Sequence, residues 1–289
     1  MKPPPFKYHK PDSLEEGLAL MGELENAKIL AGGQSLMPML NMRFVLPDHL
    51  VDLNGLEELS YIRQDGATIE IGAMTRQRDI EFAEMIADQC PLISEAIRHV
   101  GHRQTRNRGT LGGSLCHLDP AAELPLVACT LDAEIIVASV RGNRVIPMVD
   151  FAASYMTPAI EPDEVVAALR IRSWSEGHGF GFEEFARRQG DFAIVAVAVL
   201  LEIGAGDVIR RAAVAIGGIG ATPLRMAGVE EKLVGERTGP ELFQEAAQLC
   251  AEIEAIGDVH SSADYRRHLA KVLAGRALSK AHRRATPLP

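Results

Sequence analysis

Cysteine is scarce in this chain and poorly placed for chemistry. The four, at positions 90, 116, 129 and 250, include no pair at the spacing of a zinc or redox site and no iron–sulfur ligand set. The nine histidines are scattered, with no metal-binding pair at helical spacing. Basic residues are too few for a nucleic-acid binder: 30 Lys and Arg face 39 Asp and Glu, a formal net charge of −9. No apolar run approaches the length of a membrane span; the longest, Phe192 to Leu201, suits a buried strand. The start, Met1-Lys2-Pro3-Pro4-Pro5, lacks the apolar segment of a secretion signal, so the expected compartment is the cytoplasm. Neither the dinucleotide fingerprint of three spaced glycines nor a P-loop occurs, which disfavours a nicotinamide-type Rossmann site and an ordinary nucleotide triphosphatase.

What is present is a core-forming composition, 47% hydrophobic over 289 residues, enough for two or more domains. The central stretch runs from Arg106 to Pro120 and contains Gly109-Thr110-Leu111-Gly112-Gly113-Ser114. Glycine lets backbone approach a ligand closely, and successive N–H groups with the Thr110 and Ser114 hydroxyls can converge on an anion. A second loop of the same kind, Ala31-Gly32-Gly33-Gln34-Ser35, precedes it. Each alone reads as a plain turn; together they suggest two loops gripping one diphosphate.

Residues 1–55 read as a βαβ-like unit: a strand at Phe6–His9, a helix opened by the capping box Ser13-Leu14-Glu15-Glu16, a strand at Lys28–Ala31 entering the first loop, a short helix over Leu36–Arg43, and a strand at Leu50–Leu53. Residues 56–175 mix both element types. Thr68–Ala73 alternates as a half-buried strand, Thr75 is placed to cap a helix over Arg78–Met85, and helices are expected over Leu92–Val100 and Ala122–Thr130. Strands follow at Glu134–Val137 and, after a turn at Arg141–Arg144, at Val145-Ile146, then at Glu164–Ile171. Residues 176–289 open on a flexible aromatic segment, Gly177–Phe182. Strands at Phe192–Ile203 and Val208–Ile216 follow, then helices over Met226–Val234, Pro240–Ile253 and Ser262–Ala281, with the basic end Lys280–Arg284 read as a solvated face.

In order along the chain, Ala31-Gly32-Gly33-Gln34-Ser35-Leu36, Asn41-Met42-Arg43, Arg108-Gly109-Thr110-Leu111-Gly112-Gly113-Ser114 and Asp119-Pro120-Ala121-Ala122-Glu123-Leu124-Pro125 form a set. Arg187-Arg188-Gln189-Gly190-Asp191-Phe192-Ala193 and Tyr265-Arg266-Arg267 complete it. Nearly end to end, the chain resembles the medium, FAD-binding subunit of molybdenum hydroxylases, the carbon monoxide and xanthine dehydrogenase relatives. The resemblance implies an α+β fold: an FAD-binding region in two subdomains of the vanillyl-alcohol-oxidase (PCMH) type, then an antiparallel sheet with helices. It also implies partners, a large subunit with the molybdenum cofactor and a small one with iron–sulfur clusters, assembled as a dimer of heterotrimers. Electrons would then leave through non-covalent FAD to an external acceptor such as NAD or a quinone.

The resemblance further implies that Ala31, Gly32, Gly33, Gln34, Ser35 and Leu36, with Thr110, Leu111, Gly112, Gly113 and Ser114, form the two pyrophosphate loops. Glu123 stands in place of a family aspartate near the flavin, and Phe192 where relatives place a Tyr or Ile over its ring. Val166 and Leu169 fall where the family lines the far side of the cofactor, and Glu183 and Glu184 where some relatives carry a lysine. No catalytic residue and no metal ligand is implied on this chain. Taken without the family, Phe192 reads as core, Glu123 as an exposed helix residue, and His117 with Asp119 as structural hydrogen bonders or a proton relay. On the same terms Arg187-Arg188 is a solvated face or a contact surface, and Arg106 and Arg108 serve a phosphate or surface carboxylates.

Two other functions compete with an electron-transfer subunit. One is a free-standing FAD-dependent oxidase or reductase of the same fold acting on a small molecule, with a covalent flavin link through Cys116 or His117. The other is a scaffold protein whose glycine loops are mere turns.

Overall fold

The computed structural model describes residues 2–286. The first unit is a parallel three-stranded sheet in which β1 (Lys7–His9) and β2 (Ala27–Leu30) flank the later β3 (His49–Asp52). Parallel neighbours need crossovers, supplied by the helices Leu14–Glu23 and Leu36–Asn41. Ser13 accepts from the Glu16 amide at 3.2 Å as the capping box requires, while the Glu16 carboxylate reaches back to the Asp12 amide.

The second unit is an antiparallel sheet of β4 (Ile62–Asp65), β5 (Thr68–Gly72), β6 (Glu134–Ser139), β7 (Gly142–Pro147) and, after the small ladder β8 (Ala152–Ser154) with β9 (Thr157–Pro158), β10 (Val165–Arg172). Its order is β4-β5-β10-β6-β7, so β10 joins two hairpins separated in sequence. β5 is buried on both faces rather than one: Ile69 and Ile71 lie in the core under the helices, while on the other face Glu70 is enclosed by Tyr61, Arg63 and Arg170, and Gly72 lies against Leu59 and Tyr61. Thr75 caps no helix; its hydroxyl bonds with the backbone of Tyr61, and two short helices, Gln77–Glu81 and Glu84–Gln89, replace the single one expected.

The third unit is an antiparallel sheet of β11 (Gly179–Ala186), β12 (Ala193–Ile203), β13 (Ile209–Gly217) and β14 (Leu224–Arg225). The segment expected to be flexible is thus the first half of an edge strand. β12 alternates with period two: Ala196, Ala198 and Leu200 face the helices of the second unit, and Val195, Val197, Val199 and Leu201 face the helices Ala227–Leu233, Pro240–Leu249 and Ala263–Arg284. Small residues on the inner face let the third sheet sit close against the second unit. The final helix is fastened there at its basic end. Lys280 donates to Glu95 at 3.1 Å and to the Phe182 carbonyl at 2.9 Å and pairs with Glu183; Arg284 pairs with Glu95 and lies over the Phe180 ring. This end is an inter-unit clasp, not a solvated face.

Candidate functional site

The central stretch is mostly helical. Arg103–Arg108 is one helix and Leu111–His117 another, separated by Gly109 and Thr110. Thr110 has extended backbone and accepts from the Gly113 amide at 3.1 Å, an N-cap bond that starts the second helix despite its two glycines. Leu111, Leu115 and Leu118 recur at helical spacing and lie in the core. That turns Gly113, Ser114 and His117, all partly exposed, to the opposite face.

The helix entry is fixed by β5 and its extension. The Leu111 amide donates to the Thr75 carbonyl (3.1 Å) and Gly112 to Ala73 (2.8 Å). A Cβ on Gly112 would stand 2.6 Å from the Ala73 Cβ, so only glycine fits this approach. The amides of Leu111, Gly112 and Gly113 are therefore all satisfied inside the protein. Thr110, Leu111 and Gly112 are buried, and Gly113 with Ser114 forms the open face of this stretch.

The first loop has the opposite character. After β2 the chain turns through Gly33, whose φ of +71° is the left-handed region that glycine favours. Among the described residues, the amides of Gly32, Gly33, Gln34 and Ser35 donate to no protein acceptor, and all four residues are at least partly exposed. The Gln34 side chain folds back onto the Gly32 carbonyl at 3.2 Å, and Leu36 opens the next helix, half-buried. Among the described residues, no hydrogen bond engages the Ser35 or Ser114 hydroxyl.

The two segments touch. A Cβ on Gly32 would come within 2.8 Å of the Gly109 Cα and nearer still to the Arg108 carbonyl oxygen; one on Gly113 would meet Ala31 at 3.6 Å. A third element, absent from the sequence reading, holds them. Asn54, just past β3, donates to the Ala31 carbonyl at 2.7 Å, and Arg76 bonds both the Arg108 carbonyl (2.5 Å) and the Asn54 side-chain oxygen (2.7 Å). The only sequence signal was a polar residue after each of two strand ends. The result is a seam between the two loops that is rich in donors, with its nearby carbonyls tied off. Such a donor set suits an anion of diphosphate type.

Arg106 is not part of it. Its guanidinium is turned into a bidentate pair with Glu81 and onto the Val100 carbonyl. Asp119 accepts from the Ala121 amide two residues on, and no hydrogen bond joins it to His117, whose pKa is lowered by burial. Burial pushes the Cys116 thiol up to about 12, which leaves it a neutral, weakly nucleophilic group.

The remaining expected residues divide. Phe192 is 62% exposed, at the turn before β12, so it is not core. Glu123 is 5% exposed, at the first turn of the helix Glu123–Thr130, so it is not a surface residue. Burial, reinforced by the charge of Glu184, pushes its carboxyl up to about 8. Glu184 faces it from β11 with one oxygen buried and unpartnered, and His99 stands 3.7 Å from the other. Val166 and Leu169, 4% and 2% exposed, belong to the core cluster between sheet and helices. Their side chains are almost wholly enclosed by that cluster.

With this geometry in place, comparison with known proteins is specific. The family described as "FAD binding domain in molybdopterin dehydrogenase" matches residues 4–174, and "CO dehydrogenase flavoprotein C-terminal domain" matches residues 180–281. The chain is 38% identical over 289 residues to the 6-hydroxypseudooxynicotine dehydrogenase complex subunit alpha of Paenarthrobacter nicotinovorans, covering 99% of this chain and 98% of that one. It is 36% identical over 284 residues to the carbon monoxide dehydrogenase medium chain of Hydrogenophaga pseudoflava, covering 97% and 98%. A solved structure of carbon monoxide dehydrogenase from that organism, lacking the Mo-pyranopterin moiety of its molybdenum cofactor, superposes with a TM-score of 0.96 at 35% identity, covering 99% of this chain and all of the matched one.

Proposed function

This chain belongs to the FAD-binding medium subunits of the molybdenum hydroxylases, and from that premise we propose that it takes electrons from an iron–sulfur subunit and delivers them through FAD to an external acceptor. As a subunit of an oxidoreductase, it needs no acid or base of its own for substrate hydroxylation. Its task is to bind, orient and shield a cofactor that carries the electrons.

The observation that carries the reading is the asymmetry of the two loops. One presents the unpaired amides of Gly32–Ser35; the other spends its amides on structure and presents Gly113 and Ser114. In this reading the first loop and the Ser35 and Ser114 hydroxyls hold the FAD diphosphate. FAD supplies reversible electron acceptance when bound. The exposed Phe192 ring covers one face of the flavin and limits the access of water, and Glu123 keeps a proton next to the site at neutral pH. No nucleophile stands in the first loop and the Cys116 thiol is held neutral, which supports non-covalent binding. Relatives named as medium chains or complex subunits support membership of a multi-subunit complex, and its proposed form is a dimer of heterotrimers with a large molybdenum subunit and a small iron–sulfur subunit.

Acid precipitation of the purified chain tests the cofactor assignment, and turnover assays test the division of labour. The supernatant should contain FAD at about one per chain, and the chain alone should hydroxylate neither heterocycles nor aldehydes. Flavin retained in the pellet, or robust hydroxylation by this chain alone, would contradict the proposal.

A further inference from the structure

Arg76 is the residue on which both loops converge. Its backbone pairs with Thr110 as an isolated antiparallel bridge, and the next amide, Gln77, donates to the Gly109 carbonyl at 2.9 Å. Its side chain then reaches the other way, with Nη1 on the Arg108 carbonyl (2.5 Å) and Nη2 on the Asn54 side-chain oxygen (2.7 Å). Asn54 in turn donates to the Ala31 carbonyl (2.7 Å) and to Asp52 (2.5 Å), and Asp52 accepts from the Tyr8 hydroxyl (2.6 Å). A continuous chain of bonds therefore runs from β1 through the end of β3 to both loops.

We propose that Arg76, held by Asn54, is a positioning residue of the diphosphate site that also supplies its positive charge. The inference rests on the functional reading above. Two carbonyl oxygens, those of Ala31 and Arg108, lie at the seam of the loops, where their negative ends would oppose an anion. Asn54 and Arg76 engage both. The hydrogen-bond partners of the guanidinium are neutral, and no carboxylate forms an ion pair with Arg76 or Arg108 among the described residues. Elsewhere the buried or half-buried arginines have such partners: Arg106 with Glu81, Arg225 with Asp132 and Glu230, Arg266 with Asp258. Burial, then the like charge of Arg108, lowers the pKa of Arg76; the carboxylates of Asp79 and Asp52 raise it by less and none pairs with the guanidinium directly, so the cation has no close counter-ion. A diphosphate between the loops would provide that counter-charge.

The test compares FAD with riboflavin, which carries the same ring system without phosphates, on flavin-free protein. Arg76→Met keeps the length of the stem and removes the charge and both bonds; Asn54→Ala removes the tie to Ala31 and leaves the charge. Affinities would be read from flavin fluorescence across a salt series, with the melting temperature of the flavin-free protein as the structural control. FAD affinity should fall ten- to a hundredfold in Arg76→Met and by less in Asn54→Ala, with riboflavin affinity changed less than about twofold. The salt dependence of FAD binding should flatten in Arg76→Met, and Arg76→Lys should recover that slope while recovering affinity only in part. If Arg76→Met weakens FAD and riboflavin equally, or leaves the FAD salt slope unchanged, Arg76 is only a structural brace and the inference is overturned. Should Arg76→Met fail to fold, Asn54→Ala and Arg76→Lys carry the same comparison. A parent protein that binds riboflavin as tightly as FAD would overturn the diphosphate site itself, and this inference with it.

Discussion

Gly32 and Arg108 belong to different units of the fold, yet the glycine lies against the arginine's carbonyl so closely that a Cβ would collide with it and stand 2.8 Å from the Gly109 Cα. Backbone fills that space, so no rotamer change can relieve the contact. Gly32→Ala should therefore push the loops apart. Overpacking of this kind costs about 1–3 kcal/mol, so FAD should bind roughly ten- to a hundredfold more weakly. Gly228, on the helix Ala227–Leu233 with nothing within 4 Å of its would-be Cβ, is the control. Gly228→Ala should keep a full complement of FAD and gain slightly in stability. The FAD-to-protein ratio and melting temperature of both variants check this.

Phe192→Ala separates cofactor contact from core packing. A side chain that is 62% exposed contributes little to stability, so unfolding should shift by no more than about 0.5 kcal/mol. The flavin absorption envelope should change, and reduced protein should react faster with oxygen. A large loss of stability with unaltered flavin behaviour would return Phe192 to the core.

Glu123 ties stability to pH in a stated direction. Its carboxyl is pushed up to about 8 in the fold, above the ordinary value it regains on unfolding. The folded state therefore holds the proton more tightly. The stabilisation is complete below about pH 4.5 and is lost as pH rises toward 8, by at most about 1.4 kcal/mol per pH unit. Glu123→Gln, which cannot ionise, should gain on the parent across that window. Its melting temperature minus that of the parent should rise from pH 5 to pH 8, and a flat difference would contradict the protonated assignment.

Lys280→Ala addresses the clasp between the last helix and the FAD-binding region. Lys280 donates to Glu95 and to the Phe182 carbonyl and pairs with Glu183, and charged hydrogen bonds in partly buried settings contribute about 1.5–3 kcal/mol. A fall in melting temperature of several degrees is expected, with FAD content unchanged in the folded protein. Differential scanning calorimetry at two salt concentrations would check it.

Much of this was legible in the sequence, and the exceptions share a cause. Ser13 with Glu16 announced the first helix, and the long apolar run ending at Ile203 announced β12, because caps and periodicity are local. The helix Leu111–His117 was hidden by Gly112 and Gly113, poor helix formers whose presence is explained by approach to Ala73 and by the Thr110 cap. Burial of Glu123 and the clasp at Lys280 depend on how the third sheet packs against the second unit, which no local pattern encodes. The role of Arg76 is illegible in the sequence for the same reason: its partners, Asn54 and Arg108, are remote in the chain.

Ser114 gives the most direct test of the central claim, that this helix face and the first loop hold the FAD diphosphate. The residue is partly exposed, no hydrogen bond among the described residues engages its hydroxyl, and its backbone is helical, so Asp and Asn replace it with nearly equal steric effect. Only Asp adds a charge. Unit charges about 4 Å apart repel by about 4 kcal/mol at an effective dielectric near 20, and about 1.4 kcal/mol is tenfold in affinity. The measurement is the FAD dissociation constant of Ser114→Asp and Ser114→Asn, each shown by circular dichroism to be folded. The account predicts Asn within about tenfold of the parent and Asp weaker than Asn by on the order of a hundred- to a thousandfold. Equal FAD affinity in the two folded variants would contradict it.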